Sequence, residues 1–168
     1  IPADVKLTQL SLGGSHTCAL GNNNKAYCWG NNKDGQLGDS HSGGSANPDA
    51  FDAGIDSATP VEVKQGEIPN NVHLKQITAG GNVTCALASD NKTYCWGNNE
   101  SGQLGNNSTV SSSTPVAVQS GQLPSGQYFT QVSAGARAVC ALASDGKIYC
   151  WGNGEAGYLG NGSNANVL

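Results

Sequence analysis

The sequence predicts an all-β protein made of β-propeller blades, with three repeats of four strands each. The main observation is a hairpin of two short apolar runs around a polar turn, which occurs three times, at residues 17–31, 84–98 and 139–153. A long repeat with four strands in each unit is typical of a propeller blade. No window longer than a few residues has helical periodicity, and the 24 glycines favour many short strands joined by tight turns.

The turn of each hairpin sets the pairing of the strands around it. The third copy has Ser144-Asp145-Gly146 there, and a three-residue hairpin loop needs a left-handed residue at its last position. Asn24 and Asn91 take that position in the other copies, and asparagine tolerates it better than most residues. Counting outward places the two cysteines of each hairpin opposite one another. The sequence therefore predicts three disulfides, which join Cys18 to Cys28, Cys85 to Cys95 and Cys140 to Cys150.

Two further kinds of strand recur around the hairpins. An alternating stretch at residues 6–14 leads into the first hairpin and recurs at 74–81 and 129–136. A Thr-Pro-Val strand occurs at 59–63 and 114–118, where the proline suits an edge or first-residue position. These strands complete a four-stranded unit around each hairpin, except that a third Thr-Pro-Val strand is missing from the sequence.

Each hairpin is followed by a polar turn whose matched glycines suggest positive φ. One leucine in each turn is expected to anchor it to the body of the protein, namely Leu37, Leu104 and Leu159. We interpret residues 39–58, rich in Ser, Gly, Ala and Asp, as a surface insertion. The chain then divides into three repeats of one continuous domain, at residues 1–58, 59–113 and 114–168.

The repeated motifs resemble a known family. Gly-Gly-x-x-Thr-Cys-Ala-Leu, Tyr-Cys-Trp-Gly-x-Asn, Gly-Gln-Leu-Gly and Thr-Pro-Val follow one another as in the repeat of the regulator of chromosome condensation family. The resemblance covers nearly the whole chain. The third copy departs from it, with Ala136 for the second glycine and Tyr158 for the glutamine.

The resemblance implies blades of the chromosome-condensation-regulator type, in closed propellers of roughly seven blades. Three blades cannot close a ring. Either the chain is a fragment of a longer propeller, or two copies associate into a six-bladed ring, since open blade faces would expose a large apolar area.

Composition and charge exclude several classes of partner. The net charge is −4 and no basic run occurs, which argues against nucleic acid. No apolar stretch is long enough to span a membrane, so we expect no membrane insertion. Three disulfides would require an oxidising compartment, so we expect an extracellular or cell-surface location. The cysteine pairs depart from nuclear and cytosolic relatives and resemble an exported, disulfide-containing member of bacterial type.

The sequence contains no recognisable catalytic, metal or cofactor site. Zinc is the alternative role for the cysteines, but zinc sites usually use close C-x-x-C pairs and none exist here. We expect His16 to cap a turn at a blade edge and His41 to be solvated. The acids of the insertion fit no familiar calcium loop, and we interpret Asp39, Asp49, Asp52 and Asp56 as solvated.

The turns after the hairpins are the candidate binding surface, because recognition concentrates on loops held by a rigid scaffold. Corresponding positions in the three turns hold Lys33, Asp34, Glu100, Ser101, Glu155, Ala156 and Tyr158. Tyr158 is the best single candidate for a hot spot. Phe51, in the insertion, is a second candidate anchor unless it folds back onto the body.

Three functions remain open, and the first of them includes a subclass. The first is an exported, non-catalytic module that binds an unknown protein, and a subclass of it is an inhibitor of a secreted enzyme, since the family includes a β-lactamase inhibitor protein. The second is a hydrolase or lyase that uses the propeller opening. The third is nucleotide exchange on a small GTPase, as the resemblance to the founding family member implies, which the acidic balance and paired cysteines oppose.

Overall fold

The computed structural model describes residues 1–43, 55–119, 121 and 123–168. In those ranges the strands form three antiparallel sheets, which we call blades 1, 2 and 3. Blade 1 contains β1 (Leu7–Leu12), β2 (His16–Gly21), β3 (Ala26–Gly30) and β4 (Ser57–Glu62). Blade 2 contains β5 (Leu74–Gly80), β6 (Val83–Ala88), β7 (Thr93–Gly97) and β8 (Ser112–Ala117). Blade 3 contains β9 (Phe129–Ala134), β10 (Ala138–Ala143) and β11 (Ile148–Gly152).

The prediction of four-stranded blades is confirmed for blades 1 and 2, whereas the sheet of blade 3 has three strands. Beside β11, Gly152 forms an isolated antiparallel bridge with Val167. The corresponding glycines, Gly30 and Gly97, pair with the first residues of β4 and β8. The reason for the difference is that the sequence holds no third Thr-Pro-Val segment, and the three sheets do not close a ring.

The hairpin register is the one that the turns predict. Cys140 lies opposite Cys150, and the left-handed positions are Asn24 with φ 61°, Asn91 with φ 62° and Gly146 with φ 81°. The structure has a disulfide in each hairpin, between Cys18 and Cys28, Cys85 and Cys95, and Cys140 and Cys150.

The core lies between blades, which explains why the hairpin strands are apolar on both faces. Every residue of β6 is buried, because blade 1 packs on one side of it and blade 3 on the other. Each junction also has a polar contact at its centre: the indole N–H of Trp96 donates to the carbonyl of Gln36 at 3.0 Å. The equivalent bond runs from Trp151 to Gln103 at 2.9 Å, so these two tryptophans are fixed by the turn of the preceding blade.

A second polar contact joins the first strands of neighbouring blades. The Gln9 side chain accepts from the backbone N–H of Ile77 at 3.1 Å and donates to the carbonyl of Lys75 at 2.8 Å. Gln76 likewise accepts from the N–H of Val132 at 3.1 Å and donates to its carbonyl at 3.0 Å. These contacts were not predicted from the sequence, although glutamine recurs at the same place in all three repeats.

Gln76→Ala should destabilise the protein by about 1–2 kcal/mol, because it leaves backbone groups of the next blade without a partner. Gln131 is the matched control, since it holds the same repeat position on β9 but is exposed. We expect Gln131→Ala to change the free energy of unfolding by less than about 0.5 kcal/mol. Urea unfolding of the two variants measures the difference, and equal losses would show that the bonds between blades are not its source.

Candidate protein-interaction surface

The three turns after β3, β7 and β11 lie at one end of the blades, because these strands occupy the same place in each sheet. We call residues 31–38, 98–105 and 153–160 the loop end. Its three leucines are buried, with exposures of 0 % for Leu37, 0 % for Leu104 and 7 % for Leu159. The expectation that these leucines anchor the turns is confirmed.

In blades 1 and 2, buried amide side chains hold the turns in shape. The Asn99 side chain accepts from the N–H of Leu104 at 2.9 Å. The Gln103 side chain accepts from the N–H of Ser101 at 2.8 Å and donates to the side chain of Asn98 at 2.8 Å. Asn32 and Gln36 make the corresponding bonds in blade 1. These residues were not singled out from the sequence, but their recurrence in the first two copies is a detectable signal.

The turn of blade 3 lacks both of these buried amide side chains. Gly154 stands where blades 1 and 2 have the buried asparagine, and Tyr158 where they have the buried glutamine. A short 3₁₀ turn forms at Glu155–Gly157 instead, with Ala156 at φ 52°. The Tyr158 side chain is 61 % exposed, so the departure from the repeat places an aromatic ring on the surface.

The structure divides the other candidate residues of this surface into two groups. Lys33, Glu100 and Glu155 are exposed and occupy equivalent positions. Asp34 and Ser101 are half-buried and contact the next blade: Asn82 donates to the Asp34 carboxylate at 2.8 Å, and Asn153 donates to the Ser101 hydroxyl at 3.5 Å. Phe51 lies outside the described residues.

Arg137, which the sequence analysis did not single out, adds a cation to the loop end. One guanidinium nitrogen lies 4.0 Å from a carboxylate oxygen of Glu155, and both side chains are largely exposed. A cleft of ≈ 310 Å³ separates Arg137 from Glu100 and Ser101. An exposed ion pair of this length contributes little to stability.

His16 bridges blades 1 and 2. We expected it to cap a turn at a blade edge, but its side chain is buried, with 3 % of the residue exposed. Its Nε2 lies 2.8 Å from the hydroxyl of Thr84, which donates its one proton to the carbonyl of Gln36 at 2.9 Å. Burial lowers the pKa of His16 from 6.5 to about 4, so the imidazole is neutral at pH 7.

The free energy of unfolding should fall as the pH is lowered from 6.5 towards 4. In this range His16 binds a proton in the unfolded chain but stays neutral when it is buried in the folded protein. The loss attributable to His16 is about 3 kcal/mol, and it is absent above pH 6.5. His16→Val, which places the residue of position 83 at the equivalent site, should remove this part of the dependence. Denaturant unfolding from pH 7.5 to 4 measures it, and parallel profiles for the two proteins would contradict the assignment.

The acids near this end are less solvated than the sequence suggested. We expected Asp56 to be solvated. It is instead 8 % exposed and accepts a hydrogen bond from the backbone N–H of Asn32 at 2.7 Å. Asp39 is half-buried, accepts from the Asn32 side chain at 2.9 Å and faces His41 at 3.2 Å. Asp49 and Asp52 lie outside the described residues.

The described part of the chain contains no group of three or more His, Cys, Asp or Glu side chains that is placed to hold a metal ion. None of its helices is long and apolar enough to cross a membrane.

Known proteins share this repeat along almost the whole chain. The chain is 30 % identical over 161 residues to the RCC1 domain-containing mitochondrial protein RUG3 of Arabidopsis thaliana. This match covers 95 % of the chain and 33 % of RUG3. It is 29 % identical to the ultraviolet-B receptor UVR8 of the same plant, covering 97 % of the chain and 33 % of that protein. It is 32 % identical to the human probable E3 ubiquitin-protein ligase HERC6, covering 94 % of the chain and 14 % of HERC6. The chain therefore spans a third or less of these relatives.

Solved structures have the same fold. Prp20p of Saccharomyces cerevisiae, described with its binding to Gsp1p and histones, superposes with a TM-score of 0.71 and 26 % identity, covering 94 % of the chain and 35 % of Prp20p. Human WBSCR16 superposes with a TM-score of 0.76 and 20 % identity, covering 98 % of the chain and 39 % of that protein.

Family models give the assignment. The model of the regulator of chromosome condensation (RCC1) repeat matches residues 23–87 and 90–142. A second model of the same repeat matches residues 7–36, 74–103 and 129–157, one match in each blade. The chain thus belongs to the regulator of chromosome condensation (RCC1) repeat family.

Proposed function

We propose that this RCC1-type repeat protein is an exported or cell-surface module that binds another protein through its loop end and has no catalytic activity of its own. The observation that carries the proposal is the exposure of Lys33, Glu100, Glu155 and Tyr158 at one end of three disulfide-bonded blades, where buried amides also hold the turns of blades 1 and 2. A rigid scaffold lowers the entropic cost of binding. Tyr158 is the central residue, because its side chain is exposed and tyrosine is enriched among binding hot spots.

Two observations support the export and the non-catalytic role. The three disulfides form and persist in oxidising compartments, and the described residues contain no free cysteine. The relative named as a ligase has most of its length outside the match, since the chain covers 14 % of HERC6. Expression with and without a secretion signal tests the location: the exported protein should have no reactive thiols and the higher melting temperature.

Affinity capture with matched variants tests the binding surface. The double variant Glu155→Lys with Tyr158→Ser should retain at least about fivefold less of any extracellular protein that the wild type retains, because each change removes a contact of about 1 kcal/mol or more. The control is Lys92→Ala with Lys147→Ala, two exposed hairpin-turn lysines at the opposite end, which should leave retention unchanged. Equal retention by both double variants, or loss with the control alone, would contradict the loop end as the binding surface.

Self-association into a six-bladed ring is a second proposal, and the open faces of blades 1 and 3 favour it. On β1, Leu7, Leu10 and Leu12 are 44 %, 62 % and 68 % exposed. Their equivalents on β5 are Leu74, Ile77 and Ala79, each 6 % exposed or less because blade 1 covers them. Blade 3 presents the complementary face. Its Gln131 and Ser133 hold the positions whose side chains, in blades 1 and 2, form hydrogen bonds to the next blade. A second copy would cover both faces.

Light scattering over a range of concentrations tests this association. A dimer near twice 17.1 kDa is expected, and Leu10→Glu should return it to the monomer because it places a charge in the apolar face. A monomer at every concentration would contradict the ring.

A further inference from the structure

The two junctions between blades share one plan but differ in one buried pair of side chains. At the junction of blades 1 and 2, His16 faces Thr84, with Nε2 2.8 Å from the hydroxyl oxygen. At the junction of blades 2 and 3, the equivalent positions hold Val83 and Val139, which are 1 % and 0 % exposed within an apolar cluster. The first junction therefore has a titratable group at a position where the second has only aliphatic side chains.

The packing around His16 leaves little that could stabilise a proton on the ring. A Cβ at Gly13 would lie 2.2 Å from Cε1, so the ring fills the space that this glycine leaves. Nδ1 has no hydrogen-bond partner among the described residues. The carbonyl of Gly81 already accepts from the N–H of Gly14 across the junction, at 2.8 Å. Burial lowers the pKa of His16 to about 4, and the backbone of Gly81 opposes this effect only in part.

The charged groups of the neighbouring elements do not form an ion pair with the ring. Of the strands around it, β1, β2, β3 and β6 contain no Asp, Glu, Lys or Arg, and β5 contains only Lys75, which is exposed. The turn at residues 31–38 adds Lys33, which is exposed, and Asp34, whose carboxylate accepts from Asn82 at 2.8 Å. A protonated His16 would therefore be a buried cation, which is unfavourable unless water reaches it.

Separation of blades 1 and 2 would bring water to the ring without unfolding either blade. His16 lies on β2 and faces β6, and the strand pairing of each blade is confined to its own sheet. Each of the two blades has four strands and is closed by its own disulfide. A proton on His16 therefore acts on the contact between two complete blades and not on the sheets themselves.

From the buried ring, its unpartnered nitrogen and its aliphatic counterpart, we infer that the junction of blades 1 and 2 is an acid-sensitive seam. It opens when His16 takes up a proton, while the junction of blades 2 and 3 stays closed. The seam passes between Lys33 and the other exposed residues of the loop end, Glu100, Glu155 and Tyr158. Acid would therefore change the spacing of these side chains.

Backbone N–H groups that bond across the junctions report on each junction separately. Ile77 and Ala79 donate to side chains of blade 1, at 3.1 and 2.8 Å. Val132 and Ala134 donate to side chains of blade 2 across the other junction, both at 3.1 Å. Native-state hydrogen exchange of the oxidised protein, followed by nuclear magnetic resonance and corrected for the intrinsic rate at each pH, measures their protection.

Lowering the pH from 7 to 5 should reduce the protection of the Ile77 and Ala79 amides about 20-fold. This is the factor that linkage gives for a histidine with a pKa of 6.5 in the open state and about 4 in the closed state. The protection of the Val132 and Ala134 amides should change less than about twofold, because opening of their own junction exposes no buried histidine. Equal losses at both junctions would overturn the inference, since they would show cooperative unfolding of the whole chain.

The double variant His16→Val with Thr84→Val is the matched test, since it gives the seam the pair found at Val83 and Val139. It should abolish the loss of protection at pH 5, whereas the exposed control Lys33→Ala should keep it. A titration of the wild-type imidazole resonances needs no variant, and the His16 ring should titrate well below its usual pH range. An undiminished loss in the double variant, or a His16 ring that titrates near pH 6.5, would overturn the inference.

Discussion

Replacing Trp96 with alanine should lower the free energy of unfolding by about 3–5 kcal/mol, the largest effect we expect from a single substitution. The side chain is fully buried at the junction of blades 1 and 2, in one cluster with Leu37 and Tyr94. The change opens a cavity between the blades and removes the indole donor to the carbonyl of Gln36. Denaturant unfolding monitored by circular dichroism measures the loss.

Trp29 supplies the matched control within the same hairpin motif. It is half-buried, because the described residues place no blade in front of blade 1. Trp29→Ala should therefore cost no more than about 1.5 kcal/mol. Trp96→Phe should lie between the two alanine variants, since it keeps most of the ring volume and loses the hydrogen bond. Equal losses for Trp29→Ala and Trp96→Ala would contradict the role of packing between blades.

Removing a hairpin disulfide should cost about 2.5–3 kcal/mol, because each bond closes a short loop in the unfolded chain. For a chain of this length, that corresponds to a fall in melting temperature of roughly 5–12 °C for each bond. Replacing Cys85 and Cys95 together by alanine tests one bond, and full reduction tests all three. Calorimetry provides the measurement, and a reduced protein that melts at the same temperature as the oxidised one would exclude stabilisation by the disulfides.

The three disulfides should not be reduced at the same rate. Cys140 and Cys150 are half-buried at the open face of blade 3, whereas the four other cysteines are 0 % exposed. A thiol reductant under native conditions should therefore reduce the bond of blade 3 first, because attack requires access to a sulfur. Alkylation and peptide mapping identify the order, and mapping without reduction also tests the pairing itself.

The hairpins and their cysteine pairs were predictable from the sequence because they depend on neighbours in the chain. A left-handed residue at Asn24, Asn91 or Gly146 fixes the loop length, and the loop length fixes which residues oppose one another. The threefold repetition of the motif then confirms each assignment against the other two. The exposure of Tyr158 has a local cause as well, since the third turn lacks the glutamine found in the others.

The contacts between blades were not predictable in the same way. His16 was expected at a blade edge, but its partner Thr84 is 68 residues away and brings the ring into the interior. Gln9 and Gln76 looked like ordinary polar residues of a half-buried strand until the next blade supplied their backbone partners. No periodicity in a single chain specifies which atoms of a distant segment will face such side chains.

By itself, the sequence determined the fold class, the hairpin register and the pairing of the cysteines. Only the tertiary structure decided which copies of a repeated residue are buried and which are exposed to solvent. Trp96 and Trp29, or Gln76 and Gln131, have the same local sequence environment and differ in whether a neighbouring blade covers them. The physical reason is that burial and bonding depend on the blade in front, whereas strand pairing within a hairpin depends on the few residues of its own turn.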